Sequence, residues 1–137
     1  MKLSRECRYA IVGLSVLASK PPGTVLGLGA LAEEASLPAP FLAKIFHKLA
    51  RHGILTSFRG RRRGYALARP AGEITMRHVL EAVDGHDLFD RCIFVSESCN
   101  SGDPCPLHDA WIPVMNSATS AMSKLTLADI DYTSMQG

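Results

Sequence analysis

The chain has 137 residues, of which 47% are hydrophobic and 20% are charged, with a formal net charge of +2. This size and composition predict one compact domain with at most an accessory element, and they exclude a disordered chain. No apolar run reaches the roughly 18–20 residues that span a bilayer, so no association with a membrane is expected. No catalytic triad, phosphate-binding loop or pair of catalytic carboxylates is recognisable. We therefore expect neither an enzyme nor a small-molecule substrate.

The small net charge conceals an uneven distribution along the chain. Residues 1–70 carry twelve Lys and Arg against three acidic residues, whereas residues 71–137 carry three against ten. Between Ala35 and Pro70 there are eight basic residues and no acidic one. This asymmetry indicates a nucleic-acid-binding half joined to an element of another kind. The alternative interpretation is a solvated basic surface without a nucleic-acid role.

The N-terminal region has some features of a secretory signal peptide. Residues 9–19 are mostly apolar and follow three basic residues. However, Glu6 interrupts the basic residues, and cleavage would leave three cysteines, an unfavourable number for a secreted domain. We therefore expect a buried first helix over residues 4–19 and a cytoplasmic protein.

The next elements follow in an order typical of a winged helix-turn-helix. Two prolines and a glycine end the first helix, and further helices are predicted over residues 28–36 and 39–52. The apolar residues of the third helix are spaced as one buried face. Strands are predicted over residues 54–58 and 65–68, around a turn rich in arginine and glycine, and a fourth helix over residues 75–83.

This order assigns the third helix to DNA recognition and the hairpin to the wing. Exposed N-terminal side chains of a recognition helix read base edges in the major groove, and small apolar side chains there can contact thymine methyl groups. Arginines on a projecting turn suit the minor groove, and a lysine later in the helix suits phosphates. The candidate DNA-binding residues are Ala39, Pro40, Ala43, Lys44, His47, Lys48, Arg59, Gly60, Arg61, Arg62 and Arg63.

Cysteines form the second candidate site. Cys92, Cys99, Cys105 and His108 follow the spacing Cys-x6-Cys-x5-Cys-x2-His. This set could hold an iron–sulfur cluster or a tetrahedral Zn²⁺ ion. The alternatives are free thiols, or one disulfide with a cysteine left over, and His108 also fits the apolar pattern of the helix that follows. Cys7 is predicted as a small buried side chain, with ligation of the same site in a partner chain as the alternative.

The C-terminal helix carries an apolar pattern typical of helix–helix packing. From His108 onwards the pattern recurs at intervals of three and four residues, as at the core positions of a coiled coil. Such a helix can pack on its own domain or on a second copy, and we expect a homodimer. Pro113 predicts a kink, or a regular helix beginning near Ile112. A capping box over residues 126–129 predicts a last short helix. The candidate dimerisation residues are Trp111, Met115, Ala118, Met122 and Leu125.

Short segments along nearly the whole chain match one known family. They are Lys2-Leu3-Ser4, Arg8-Tyr9-Ala10, Leu31-Ala32, Phe41-Leu42, Ile45-Phe46, Gly53-Ile54-Leu55, Arg59-Gly60, Gly64-Tyr65 and Ala82-Val83-Asp84. With these segments the chain resembles the Rrf-type bacterial transcription regulators. Its C-terminal part resembles the iron–sulfur-sensing branch of that family, through Cys92, Cys99, Cys105, His108 and Trp111.

The resemblance implies a dimer with crossed C-terminal helices, a [2Fe–2S] or [4Fe–4S] cluster in each cysteine loop, and DNA binding tuned by the cluster. It implies ligation by Cys92, Cys99 and Cys105, with His108 as the fourth ligand. In a second subclass the fourth ligand comes from the partner's first helix, near Cys7 here. Where one subclass reads bases with a glutamate, this chain has Ala43, which implies a different operator.

The sequence thus predicts a mainly α fold with a small β hairpin. A winged helix-turn-helix domain (residues 1–85) is expected to precede a cysteine-rich cluster-binding loop (86–107) and a long dimerisation helix with a C-terminal segment (108–137). The predicted function is a dimeric repressor that binds a palindromic double-stranded operator under control of an iron–sulfur cluster. The alternative is a winged-helix regulator without a cluster that uses structural zinc or direct cysteine oxidation.

Overall fold

The computed structural model describes residues 3–90 and 106–130. The predicted cluster ligands Cys92, Cys99 and Cys105 lie outside these residues. The regular elements are α1 (Arg5–Ala18), α2 (Leu28–Ala35), α3 (Ala39–Arg51), β1 (Leu55–Phe58), β2 (Gly64–Leu67), α4 (Met76–Asp84) and α5 (His108–Lys124). Single 3₁₀ turns lie at Gly60–Arg62, Ala71–Glu73, Leu88–Asp90 and Leu127–Asp129.

Helices α1 to α3 pack around one apolar core. The buried face of α3 consists of Leu42, Ile45, Phe46 and Leu49, the spacing that the sequence predicts for one helix face. Gly13 of α1 lies directly against this face: a Cβ atom there would lie 2.8 Å from the Phe46 ring. The absence of a side chain at this position therefore permits the close approach of α1 to α3.

The two strands form the predicted hairpin. They are antiparallel, with Leu55 opposite Leu67 and Phe58 opposite Gly64. An isolated bridge between Leu26 and Tyr65 joins the hairpin to the segment before α2, through backbone hydrogen bonds of 2.8 and 3.0 Å. The wing is thus held against the helical domain on one side.

Helix α4 and the C-terminal segment also pack against this core. The Thr75 hydroxyl caps α4 by accepting a hydrogen bond from the backbone N–H of His78. After α5 the chain returns to this point: the N–H of Met76 donates to the carbonyl of Leu125, and the N–H of Leu127 to that of Ile74, both at 2.8 Å. Leu127 is 1% exposed, so the C-terminal segment contributes to the core of the winged domain.

These elements confirm the predicted fold class and the order of helices and strands. The expected start of regular helix near Ile112 is wrong, because α5 already begins at His108 and contains Pro113. Proline there removes only the hydrogen bond to the Asp109 carbonyl, close to the helix start, where both residues are exposed to water. The predicted capping box is confirmed at Thr126 and Asp129. Among the described residues, no helix is long and apolar enough to cross a membrane.

Candidate nucleic-acid interface and cysteine site

The face of α3 opposite the core carries most of the predicted recognition residues. Pro40, Lys44 and His47 are exposed, and Ala39 and Ala43 are half-buried. The helix has no acidic residue in its first turn and two basic residues in its last. Apart from Lys48, its outer face is therefore exposed and basic.

The Lys48 side chain forms polar contacts with two other helices. Its Nζ lies 2.9 Å from Glu6 Oε2 and 3.5 Å from the Val83 carbonyl oxygen, and its side chain is 39% exposed. The sequence predicted a phosphate contact for this lysine. In the structure Lys48 bridges α3 to the start of α1 and the end of α4, because all three elements meet at that point, and its phosphate contact stays a prediction.

The wing presents its arginines to solvent. Arg59, Arg61 and Arg63 are exposed around Gly60, whose φ of +86° requires the left-handed conformation that glycine adopts readily. The side chain of Arg62 is not among those described. Between the wing and the start of α2 lies an open groove of about 660 Å³, lined by Gly27, Gly29, Phe58, Arg59, Arg63 and their neighbours.

Phe41, an exposed residue of α3, is not among the residues predicted from the sequence to bind DNA. Phe41 is 59% exposed, and it lies in the first turn of α3 between two predicted DNA-binding residues. Its neighbour Leu42 is fully buried. The helical periodicity could have predicted this exposure, since Phe41 falls outside the apolar face that the other large side chains form.

Cys7 is buried at the junction of α1 with α4. Its thiol is 3.2 Å from Asp84 Oδ2 and donates a hydrogen bond to that carboxylate. The Ser4 hydroxyl donates to Asp84 Oδ1 at 2.6 Å, and the Ser4 N–H to Oδ2 at 3.0 Å. Burial, together with the Asp84 carboxylate, raises the pKa of the Cys7 thiol from 9.0 to about 12. Cys7 therefore lies in its own chain as a protonated, packed thiol, as the first interpretation of this cysteine expected.

His108, the predicted fourth ligand, is the first residue of α5. Its Nδ1 is buried and has no hydrogen-bond partner among the described residues, and the same holds for Nε1 of Trp111 one turn later. Buried polar side-chain atoms are rarely left without a partner, so each such atom calls for an explanation. Within residues 3–90 and 106–130, no group of three His, Cys, Asp or Glu is placed to hold a metal ion.

The apolar pattern of α5 divides into two surfaces. Met115 is buried, with Trp111 packed against it, and Met122 and Leu125 pack against the core of the winged domain. Met122 and Leu125 are thus engaged with the core of their own protomer, whereas Trp111 and Ala118 are half-buried, and the role of these residues in a dimer stays a prediction. The adjacent stripe of the same helix, starting just before it, is exposed and consists of Leu107, Ala110, Val114, Ser117 and Ala121.

Comparison with known proteins relates this architecture to transcription regulators. The family model Rrf2, described as an iron-dependent transcriptional regulator, matches residues 3–132. The chain is 35% identical over 130 residues to a Mycobacterium tuberculosis protein that is named as a presumed helix-turn-helix-type transcriptional regulator. The matched residues are 95% of this chain and 81% of that protein. The transcriptional regulator IscR of Xenorhabdus nematophila is 29% identical over 95% of this chain and 79% of its own length.

Solved structures show the same architecture. The oxidised form of Staphylococcus aureus CymR superimposes with a TM-score of 0.72 at 27% identity, over 96% of this chain and 99% of CymR. The relatives and structural neighbours are transcriptional regulators rather than enzymes. With its free basic recognition helix and arginine-bearing wing, the chain is a DNA-binding transcriptional regulator that belongs to the Rrf2 family.

Proposed function

We propose that this regulator is a dimeric repressor whose affinity for a palindromic operator is controlled by an iron–sulfur cluster. Cys92, Cys99 and Cys105 would supply three ligands and His108 the fourth. We expect it to act on the DNA of a bacterial nucleoid. When bound, such a cluster supplies a site that oxidants or nitric oxide can destroy, and its loss is the signal.

The cluster proposal rests mainly on the surroundings of the His108 imidazole. Its Nδ1 is buried without a hydrogen-bond partner among the described residues, and it lies three residues after Cys105 in the sequence. An imidazole nitrogen kept from water but not hydrogen-bonded is suited to a metal. Three thiols and one imidazole are a donor set that fits an iron–sulfur cluster. The name IscR and the iron-dependent family description of the matching model agree with this chemistry.

The contacts at the end of α4 connect the cysteine loop to the recognition helix. Leu88 and Phe89, at the start of the predicted loop region (86–107), are buried in the core beside α4. The last turn of α4 accepts hydrogen bonds from Lys48 of α3 at Val83, and from Ser4 and Cys7 of α1 at Asp84. A change in the loop that moves the end of α4 would thus move Lys48 and α3.

Such coupling needs little energy. A ligand shifts a conformational equilibrium only through its different affinity for the two states. A tenfold change in operator affinity corresponds to about 1.4 kcal/mol. This is comparable to the contribution of a few hydrogen bonds such as those at Asp84.

For the dimer we propose α5 as the interface. One side of this helix covers the core of its own protomer, whereas the neighbouring stripe, with Leu107 and Val114 at 46% and 50% exposure, is open. Apolar side chains at intervals of three and four residues suit packing against the same helix of a second copy across a two-fold axis. Two copies would place two recognition helices on successive half-sites, about one helical turn apart.

The decisive experiment is anaerobic purification followed by iron, sulfide and zinc assays and a visible absorption spectrum. We expect a brown protein in which Cys99→Ala abolishes or alters the chromophore and changes operator affinity. His108→Ala should perturb the spectrum more than the matched change Cys7→Ala, because the Cys7 thiol is already engaged by Asp84. If no substitution of the three loop cysteines changes the metal content, the cluster proposal is refuted.

The second candidate is a regulator that senses oxidation directly through its cysteines. It is favoured by the likeness to CymR, which was solved in an oxidised form. This candidate predicts a colourless protein without iron or sulfide, whose DNA affinity changes with oxidant and recovers with thiol reductant. Bound zinc without such a response would instead indicate a structural ion.

A further inference from the structure

Phe41 is the most solvent-exposed large apolar side chain among the described residues, at 59%. It lies in the first turn of α3, beside the exposed Pro40 and one turn before the exposed Lys44. Burying a phenylalanine removes a large apolar surface from water, so an exposed one in a basic region suggests a surface that is covered when the protein functions.

The chemistry of the surrounding helix limits how it can read DNA. Residues 39–46 contain no Ser, Thr, Asn, Gln or Arg, and their only polar side chain is that of Lys44. The bidentate hydrogen bonds that arginine makes to guanine, or asparagine and glutamine to adenine, are therefore unavailable to this part of the helix. Apart from the hydrogen bonds that Lys44 can donate to guanine, sequence readout by these residues must rely on shape and on apolar contacts.

Among these residues Phe41 has the reach for such a contact. Ala39 and Ala43 end at Cβ and are half-buried, and Pro40 is held close to the backbone by its ring. The one apolar group that a base edge offers in the major groove is the C5-methyl group of thymine. The positive charges of Lys44 and the wing arginines favour the approach of DNA to this face.

From these observations we propose that Phe41 is a specificity-determining residue that packs against a thymine methyl group in each operator half-site. The inference rests on DNA binding by the family and is independent of the cluster. It assigns the readout of at least one T·A pair to an aromatic contact rather than to a hydrogen bond.

The test replaces single thymines of the operator by deoxyuridine, which removes only the methyl group and keeps the base pairing. The operator is first selected from random DNA with the full-length protein. Wild-type protein should lose about threefold to fivefold in affinity at one or two thymines per half-site, the value expected for one buried methyl group. Phe41→Ala should bind the thymine operator more weakly and no longer distinguish thymine from uracil at those positions.

Two further variants keep the outcome interpretable. Phe58→Ala removes a second exposed phenylalanine of the described residues, 39% exposed on the wing, and should retain the full discrimination between thymine and uracil. Phe41→Leu keeps an apolar side chain and should retain part of it. If Phe41→Ala has the folded circular dichroism spectrum but discriminates as well as the wild type, the proposal is overturned. The proposal is also overturned if the wild type binds all uracil-substituted operators as tightly as the thymine operator. An absence of any salt-dependent DNA binding would instead refute the DNA-binding function.

Discussion

At the scale of single residues, Cys7 shows how the surroundings decide the chemistry of a side chain. By sequence it is one of four cysteines, and either a packing or a ligand role was open. In the structure its thiol is 2% exposed and hydrogen-bonded to Asp84, which favours the protonated form. A thiol with a raised pKa is a poor metal ligand and a poor nucleophile, since the thiolate performs both roles.

This environment predicts a dependence of stability on alkaline pH. The pKa of the Cys7 thiol is about 12 in the folded protein, against an ordinary value of 9.0. Because the folded pKa is the higher one, the stabilisation is complete below pH 9 and is lost as the pH rises from 9 towards 12. In urea denaturation we expect this group to lower the free energy of unfolding by about 1 kcal/mol between pH 8 and pH 10.

Cys7→Ala is the control for this measurement. It should be less stable than the wild type at pH 8, yet should lack the alkaline component that Cys7 contributes. An identical loss of stability between pH 8 and pH 10 in both proteins would contradict the assignment.

At the scale of elements, the wing depends on a close backbone contact that a hydrophobicity pattern does not encode. Gly64 begins β2 with a φ of +153°, and a Cβ atom there would clash with the carbonyl group of Leu26. The hydrogen bonds between Leu26 and Tyr65 require this approach. The rings of Tyr65 and Phe46 also form a T-shaped pair with centroids 5.2 Å apart, so the position of the wing is tied to the recognition helix.

We therefore expect Gly64→Ala to destabilise the protein by about 1–3 kcal/mol, as for other strained or overpacked glycine sites. The matched control is Gly29→Ala within α2, where nothing lies within 4 Å of the added Cβ. This second change should stabilise the helix by about 0.5–1 kcal/mol, since alanine has the higher helix propensity. Thermal denaturation of the two variants should move in opposite directions, and equal shifts would refute the proposed strain.

In the molecule as a whole, one side of α5 packs within its own protomer and the neighbouring side is exposed to solvent. Met115 is buried within the protomer, and Met122 packs against the winged domain, while Val114 lies on the exposed stripe. The C-terminal end of the helix is anchored in two ways. The Leu127 side chain is buried, and the backbone N–H groups of Met76 and Leu127 donate hydrogen bonds to backbone carbonyls. An interface on the open stripe can thus form without disturbing the protomer.

This arrangement predicts different results for two aspartate substitutions on the same helix. Val114→Asp should produce folded monomers, because the change affects only the exposed stripe, and should lower the melting temperature only by the stabilisation that dimerisation adds. Met122→Asp should lower the free energy of unfolding by about 2–3 kcal/mol, since it places a charge against the apolar core. Light scattering and thermal denaturation measure the two effects, and a Val114→Asp dimer as stable as that of the wild type would place the interface elsewhere.

The fold class, the order of helices and strands and the basic segments were predictable from the amino-acid sequence. Periodicity fixes which face of a helix is apolar, glycines and prolines mark element ends, and charge is a property of the chain, so none of these needs a tertiary contact. The apolar face of α3 and the capping box at Thr126 were predictable for this reason.

Only the tertiary structure decided which partner each predicted residue has. It paired Lys48 with Glu6, engaged Cys7 with Asp84, placed Met122 against the protomer's own core and left Phe41 exposed. Lys48 and Glu6 are 42 positions apart in the chain, and Cys7 and Asp84 are 77 positions apart. A local pattern shows that a side chain is apolar or charged, but its partner depends on how the elements pack, because packing brings together residues that are distant in sequence.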